Sequence, residues 1–274
     1  MIPKIIHYCW IGGAQLPPLA ERCIASWKEH MPSWQIMRWD ETNFDITTAP
    51  LYVRQAYETR KFAFVSDYVR LWALEQYGGL YMDVDFMVFR PFDDLMDKYS
   101  AFAGYEGSKY QPVMMGVIAS EPHSAWVTDV LRTYDSRAFI KDDGSLDMTP
   151  NTSYFTERLI SQGFVADGVE KDLYVRSEGI NKLRNEGVKE IQITNDKSQI
   201  TNIEEPTFFL HVFPVHYFCP VLTTGEDIRT SETYCEHMKL DSWDRRHTWK
   251  SDVVRWLGPK WKTRLIKIKR KIFG

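Results

Sequence analysis

Residues 2–10 form a short apolar run that stops at Gly12-Gly13, the pattern of a buried strand followed by a turn. Pro17-Pro18 opens a segment with helical spacing, 19–30, that ends near Pro32. Residues 34–39 then alternate, Trp34, Ile36 and Arg38 against Gln35, Met37 and Trp39, as a second strand would. Strand, helix and strand in that order predict a βαβ start, a parallel sheet and an α/β fold. Residues 51–77 predict one long helical region, because Phe64, Tyr68, Leu71, Trp72 and Glu75 recur at spacings of three and four. Gly78-Gly79 closes it as a glycine C-cap. Residues 80–89 predict a strand closed by Pro91, 101–119 further strand pieces, and 207–219 another strand. The stretch 135–205 is more polar. It reads as an inserted or flanking subregion with helices near 152–162 and 171–186. No internal repeat is present.

Composition narrows the class. The 274 residues are 44% hydrophobic and 26% charged, which excludes collagenous, low-complexity and wholly disordered chains. No run approaches the ~18 apolar residues of a transmembrane helix, and Pro3 and His7 interrupt the apolar core that a signal peptide needs. Cys9, Cys23, Cys219 and Cys235 are scattered without a CxxC pair, which fits reduced cytoplasmic thiols better than a disulfide framework or a zinc site.

The net charge of -3 conceals an asymmetry. Residues 245–274 carry eleven Lys and Arg against one acid, Asp252, while the rest of the chain is acidic. In that tail Trp256, Trp261, Leu265, Ile266, Ile268, Ile272 and Phe273 interleave with the cations, as in a segment lying on an anionic bilayer, the alternatives being a helix packed on the acidic body and a disordered basic tail. The expected location is therefore cytoplasmic and peripheral, on the inner face of the cell membrane. An acidic body without a recognition motif argues against nucleic acid as a partner.

The candidate chemistry centres on Tyr81-Met82-Asp83-Val84-Asp85. On a strand, positions i and i+2 share a face, so Asp83 and Asp85 would stand side by side at a strand end. Adjacent carboxylates repel unless a cation lies beside them, and hard divalent ions such as Mn²⁺ or Mg²⁺ take oxygen ligands. Taken alone, the pair reads as two solvated acids at a strand edge. Upstream, Asp67 and Arg70 lie three apart on one helical face, either as a surface ion pair or as groups that contact a substrate.

The run Ala63-Phe64-Val65-Ser66-Asp67-Tyr68-Val69-Arg70, followed by Gly78-Gly79-Leu80-Tyr81-Met82-Asp83-Val84-Asp85, resembles the DxD sugar-binding region of family 32 glycosyltransferases. That family includes bacterial capsular-polysaccharide and lipopolysaccharide transferases, initiating mannosyltransferases and, distantly, clostridial glucosylating toxins. The opening IPKIIHYCWIGG and the block WQIMRWDE are similar to its first two strands, and Tyr217-Phe218-Cys219-Pro220 with 233–243 to its closing element.

The resemblance implies a GT-A fold over residues 1–244, a Rossmann-like nucleotide-binding sheet with the DxD at its edge, and a separate tail, 245–274. It implies a retaining, metal-dependent transferase. That enzyme would move a hexose from a nucleotide sugar, UDP-linked, to a saccharide or lipid-linked glycan acceptor in surface-polysaccharide synthesis. Trp10 would stack on the base. Asp67, Arg70 and Tyr81 would contact sugar and diphosphate, Asp83 the ribose or metal, and Asp85 the metal. His237 would be a late-chain metal ligand, with Glu236 as the alternative. Ser242 and Trp243 would close over the diphosphate, and Asn151 would lie near the reacting carbon, although it equally suits a helix N-cap. Competing classes are a haloacid-dehalogenase-type phosphatase, disfavoured by Met87, a sugar-nucleotide-forming enzyme, and an inactive sugar-nucleotide-binding protein.

Overall fold

The computed structural model describes residues 1–107, 112–161, 163–175, 193–194 and 207–240. β1 (Ile5–Cys9) is buried at all but its first position. It pairs in parallel with β2 (Gln35–Trp39) on one side and β3 (Gly79–Met82) on the other. Between β1 and β2 runs α1 (Pro18–His30), which starts on a proline that needs no N–H donor there. It buries Ala20, Cys23, Ile24 and Trp27 on one face. The predicted βαβ start is therefore present.

The predicted helix over 51–77 divides in two, α2 (Leu51–Glu58) and α3 (Phe62–Tyr77). Arg60 sits at φ 59, a left-handed conformation that no helix interior tolerates. The Arg60 N–H donates to the Tyr57 carbonyl and the Lys61 N–H to the Ala56 carbonyl, so the junction satisfies its own backbone. At the other end of α3, Gly78 (φ 62) donates its N–H to the Leu74 carbonyl, as predicted of the glycine cap.

The strand predicted over 80–89 also divides. β3 ends at Met82, and β4 (Phe86–Val88) belongs to a different sheet. After β4 come α4 (Asp93–Lys98), β5 (Ala101–Gly104), β6 (Val117–Ser120), α5 (Ala125–Arg132) and α6 (Asn151–Ser161). Then follow β7 (Lys171–Val175), β8 (Ile193–Thr194), β9 (Thr207–Phe213) and β10 (Cys235–His237). Residues 171–175 are thus a strand rather than the start of the predicted helix over 171–186, whose remainder lies outside the described residues. The strand predicted over 207–219 stops at Phe213: Pro214 removes a ladder donor, and Val215–Tyr217 turn as a 3₁₀ helix.

Among the described residues the large sheet has the order β2-β1-β3-β6-β5-β9-β7-β8, and β10 pairs with β4 in a second, two-stranded sheet. Pairing is parallel for β2-β1-β3 and for β5-β9, and antiparallel elsewhere. The expected α/β fold with a Rossmann-like βαβ start is met, with more antiparallel pairing than such a start alone implies. The chain divides into two compact units, Met1–Met238 and Lys239–Gly274, and every element named here lies in the first. The division expected at 244/245 falls outside the described residues, as does the whole basic tail. Among the described residues no helix is long and apolar enough to cross a membrane.

Behind the sheet, His7 is fully buried. Its Nδ1 accepts from the Trp39 indole N–H at 3.1 Å, so Nε2 carries the proton and donates it to the Gly78 carbonyl at 2.8 Å. Burial pushes its pKa down to about 4.

Candidate active site

Two parallel strands, β1 and β3, end at the same rim of the sheet. Open α/β sheets bind ligands outside the carboxyl ends of such strands. Trp10 follows β1 there, and Asp83 follows β3. The DxD itself is not on a strand. Asp83 and Asp85 occupy a tight turn between β3 and β4, closed by the Phe86 N–H donating to the Asp83 carbonyl at 3.1 Å. Met82, Val84 and Phe86 are buried. The turn hands the chain from one sheet to the other, so the two carboxylates meet different partners.

Asp83 meets Arg70 and Tyr81. The Tyr81 hydroxyl donates to Asp83 Oδ1 at 2.8 Å, and Arg70 Nη2 stands 3.5 Å from the same oxygen. Nη2 also donates to Asp67 Oδ1 at 2.8 Å, and Nη1 donates to the Met115 carbonyl at 2.6 Å. The guanidinium lies 4.7 Å over the Tyr81 ring. Arg70 and Asp67 are both buried. Burial opposes the Arg70 charge, but Asp83, Tyr81 and Asp67 outweigh it and hold the group cationic. Burial pushes the Asp67 carboxyl up to about 6, against the pull of Arg70. Burial also raises Asp83, with the charge of Asp85 adding to it and Arg70 opposing.

Asp85 meets His237. Its Oδ2 lies 3.1 Å from His237 Nε2, and the imidazole stacks on the Phe86 ring at 4.6 Å and 4°. The Met238 N–H donates to the Asp85 carbonyl at 2.8 Å. Burial opposes protonation of His237, and Asp85 overcomes it, raising its pKa. Neighbouring strand residues face opposite ways. Accordingly Glu236 stands 3.4 Å from Arg229 Nη1, and it is His237 that reaches Asp85.

The Trp10 side chain is half-buried, and its indole N–H donates to the Ala14 carbonyl at 2.6 Å. Gly12 (φ 98) donates its N–H to Glu41 Oε1 at 2.7 Å, and the Phe62 ring occupies the place where a Cβ would stand. Cys9, immediately before Trp10, is a buried thiol pushed up to about 12 by burial, hence inert. Asn151 heads α6, and its amide nitrogen is buried without a hydrogen-bond partner among the described residues. No hydrogen bond or ion pair among the described residues joins it to the carboxylate cluster. Ser242 and Trp243 lie outside the described residues.

Three residues escaped sequence reasoning. The Met115 carbonyl receives Arg70, and the Gly116 carbonyl receives the Asp83 N–H at 2.8 Å. A Cβ on Gly116 would stand 2.8 Å from Asp83 Oδ2. Backbone acceptors leave no mark in a sequence, and the only available signal was a glycine just before a strand. The third, Glu41, ends a block that did resemble the family, but nothing in the block singled it out.

Residues 17–102 match the family described as "Glycosyltransferase sugar-binding region containing DXD motif". Over this region the chain is similar to the DXD glycosyltransferases. The matched segment holds Asp67, Arg70, Tyr81, Asp83 and Asp85, and stops short of Trp10 and His237 on either side. The chain is similar to Glucan organizing enzyme 1 of Cryptococcus neoformans var. grubii, 30% identical over 121 residues that cover 39% of this chain and 32% of the relative. It thus spans about a third of that relative's length. Among solved structures, the PaToxG glycosyltransferase is similar at 18% identity and a TM-score of 0.43, over 59% of this chain and 70% of that one. The galactosyltransferase LgtC, in complex with donor and acceptor sugar analogs, is similar at 17% identity and a TM-score of 0.29, over 43% and 58%.

The family generally works with a divalent metal and a nucleotide sugar. Asp67 and Asp83 flank one guanidinium and Asp85 follows two residues on, a concentration of carboxylates that suits a cation. Among the described residues no three His, Cys, Asp or Glu side chains form a ready cage. Mg²⁺-like ions are held by one or two carboxylates plus substrate phosphates, so the donor set fits an ion that arrives with a diphosphate.

Proposed function

We propose that the chain is a retaining glycosyltransferase that takes a hexose from a UDP-linked donor and passes it to a saccharide or lipid-linked acceptor in surface-polysaccharide synthesis. The observation that carries the reading is the split turn: Asp83 is steadied by Arg70 and Tyr81, while Asp85, two residues on, meets His237. Asp85 and Asp83 would hold Mn²⁺ or Mg²⁺, with His237 beside them. The ion would neutralise charge developing on the departing diphosphate. Arg70, fixed by Asp67 and the Met115 carbonyl, keeps a cation at the same place without reorganising. Asp67, buried beneath the site, accepts a hydrogen bond from Arg70 and offers its remaining oxygen to sugar hydroxyls. Trp10 presents a half-buried ring for a base. In this reading front-face attack, with proton transfer to the leaving diphosphate, accounts for retention. The enzyme would work peripherally on the cytoplasmic face of the membrane.

The test is transfer with a panel of nucleotide hexoses with and without Mn²⁺, reading the anomeric proton of early product by NMR. Metal-dependent transfer with retained configuration is expected, and Asp85→Asn should lower it at least ~10²-fold. Full activity in excess EDTA, or an inverted product, would sink the reading.

A further inference from the structure

A second concentration of charge lies outside the carboxylate turn. On α5, Asp129 and Arg132 are three apart and share a face, and on α6 Tyr154 and Arg158 are four apart and share another. These faces, with Ser136 and Arg137 from the segment after α5, line one cavity of about 360 Å³.

The lining holds three guanidiniums and one carboxylate. Arg158 grips the buried Asp129 through two bonds, Nε to Oδ2 at 2.6 Å and Nη2 to Oδ1 at 2.5 Å. Its Nη1 makes no hydrogen bond to the described residues. Arg137 is held by Asp147 at 3.0 Å and lies 4.3 Å over the Tyr154 ring. Arg137 and Arg158 are thus fixed in place before any ligand arrives, which reduces the ordering cost of binding. Guanidiniums present paired donors that match carboxylate and phosphate oxygens, and a tyrosine beside them offers a flat apolar surface with a polar tip.

A chain of ring contacts runs from the cavity toward α3. Arg137 lies 5.0 Å over the Tyr134 ring, and Tyr134 packs at 5.3 Å against Tyr68, the neighbour of Asp67 on α3. Burial raises the Asp67 carboxyl, and the charge of Arg137 acts against that rise.

We infer that the cavity between α5 and α6 is a subsite for an anionic saccharide, a sugar bearing a carboxylate or a phosphate, with the anion on Arg132, Arg137 and Arg158 and the ring beside Tyr154. As the place of the acceptor it rests on the transferase reading; as a binding site it does not.

The experiment follows the arginine Nε–H signals of the full-length chain by NMR, without donor or metal. The titrants are glucuronate, glucose 6-phosphate, glucose and inorganic phosphate. An anionic sugar should shift the Arg137 and Arg158 signals, with glucose and inorganic phosphate at least about tenfold weaker. Arg132→Gln, at an exposed position, should weaken the anionic sugar about tenfold. Tyr154→Ala should weaken the anionic sugar and leave inorganic phosphate unaffected. Equal binding of glucose and glucuronate, or an Arg132→Gln variant that binds as the wild type does, overturns the proposal. Anion binding by a chain that hydrolyses no donor would refute the transferase reading and keep the subsite.

Discussion

Arg70 shows how one side chain fixes a site. It reaches Asp67, Asp83 and the Met115 carbonyl at once, from a buried position on α3. Lysine keeps the charge but lacks the planar fork, so it serves one or two of these partners and leaves others exposed to burial without a donor. Arg70→Lys should therefore lower kcat by about 10²-fold while donor KM changes less, because the lost interaction is directed at developing charge. Equal losses in both parameters would assign Arg70 to ground-state binding. His7 carries a different consequence. Its pKa is about 4 in the folded chain against an ordinary 6.5, so below 6.5 the unfolded chain takes up a proton that the folded chain refuses. The stability linked to His7 is complete above 6.5 and is lost as pH falls toward 4, about 3 kcal/mol in all. Asp67, raised by burial to about 6 from 3.8, tilts the other way between those values, so wild type must be compared with a variant. Urea melts of wild type and His7→Gln should differ most near neutral pH and converge toward pH 4. A constant difference across that range would mean that His7 is protonated in the fold.

At the scale of elements, the decisive feature is the join between β3 and β4. A continuous strand would point Asp83 and Asp85 to one face; the turn instead gives one carboxylate to α3 and the other to β10. Gly116, just before β6, lets this turn lie close: a Cβ there would stand 2.8 Å from Asp83 Oδ2 and 2.8 Å from the buried Phe86 ring. Gly116→Ala should displace Asp83 and cut transfer by up to about 10²-fold, the scale of a 1 Å misplacement. Its cost in thermal stability should be no larger than that of an ordinary core substitution. Wild-type transfer by the Ala variant would show that Asp83 tolerates movement. The contrast with Gly78 shows what the sequence could disclose. Gly78-Gly79 was legible as a cap because it ended a helical period, and Asp67, Arg70, Asp83 and Asp85 were legible because the family spaces them so. The break at Arg60 and the turn after Met82 were not, since helical or strand-like residues run through both and tertiary pairing alone decides them. Arg137 was hidden for a related reason. It lies in a polar stretch without periodicity, and only the fold brings it over Tyr52, Tyr134 and Tyr154.

For the molecule as a whole, charge is divided along the chain. Residues 245–274 hold eleven Lys and Arg and one acid, with Trp256, Trp261, Ile266 and Phe273 among them, while the residues before them are acidic. An anionic bilayer surface attracts each nearby Lys or Arg by about 1 kcal/mol, and inserted aromatic and aliphatic groups add to that. A lipid-linked acceptor lies at such a surface, and a tether there raises its effective concentration without touching the chemistry. Deleting residues 259–274 removes seven of the eleven cations together with Trp261, Ile266 and Phe273. The truncated chain should hydrolyse donor near the wild-type rate, bind anionic liposomes far more weakly, and transfer slowly to a lipid-linked acceptor while keeping its rate on a soluble one. High salt should reproduce the binding loss in the full-length chain, because screening shortens the reach of exposed charge. Equal sedimentation of the truncated and full-length chains with anionic and neutral vesicles would leave the tail as a packed structural segment.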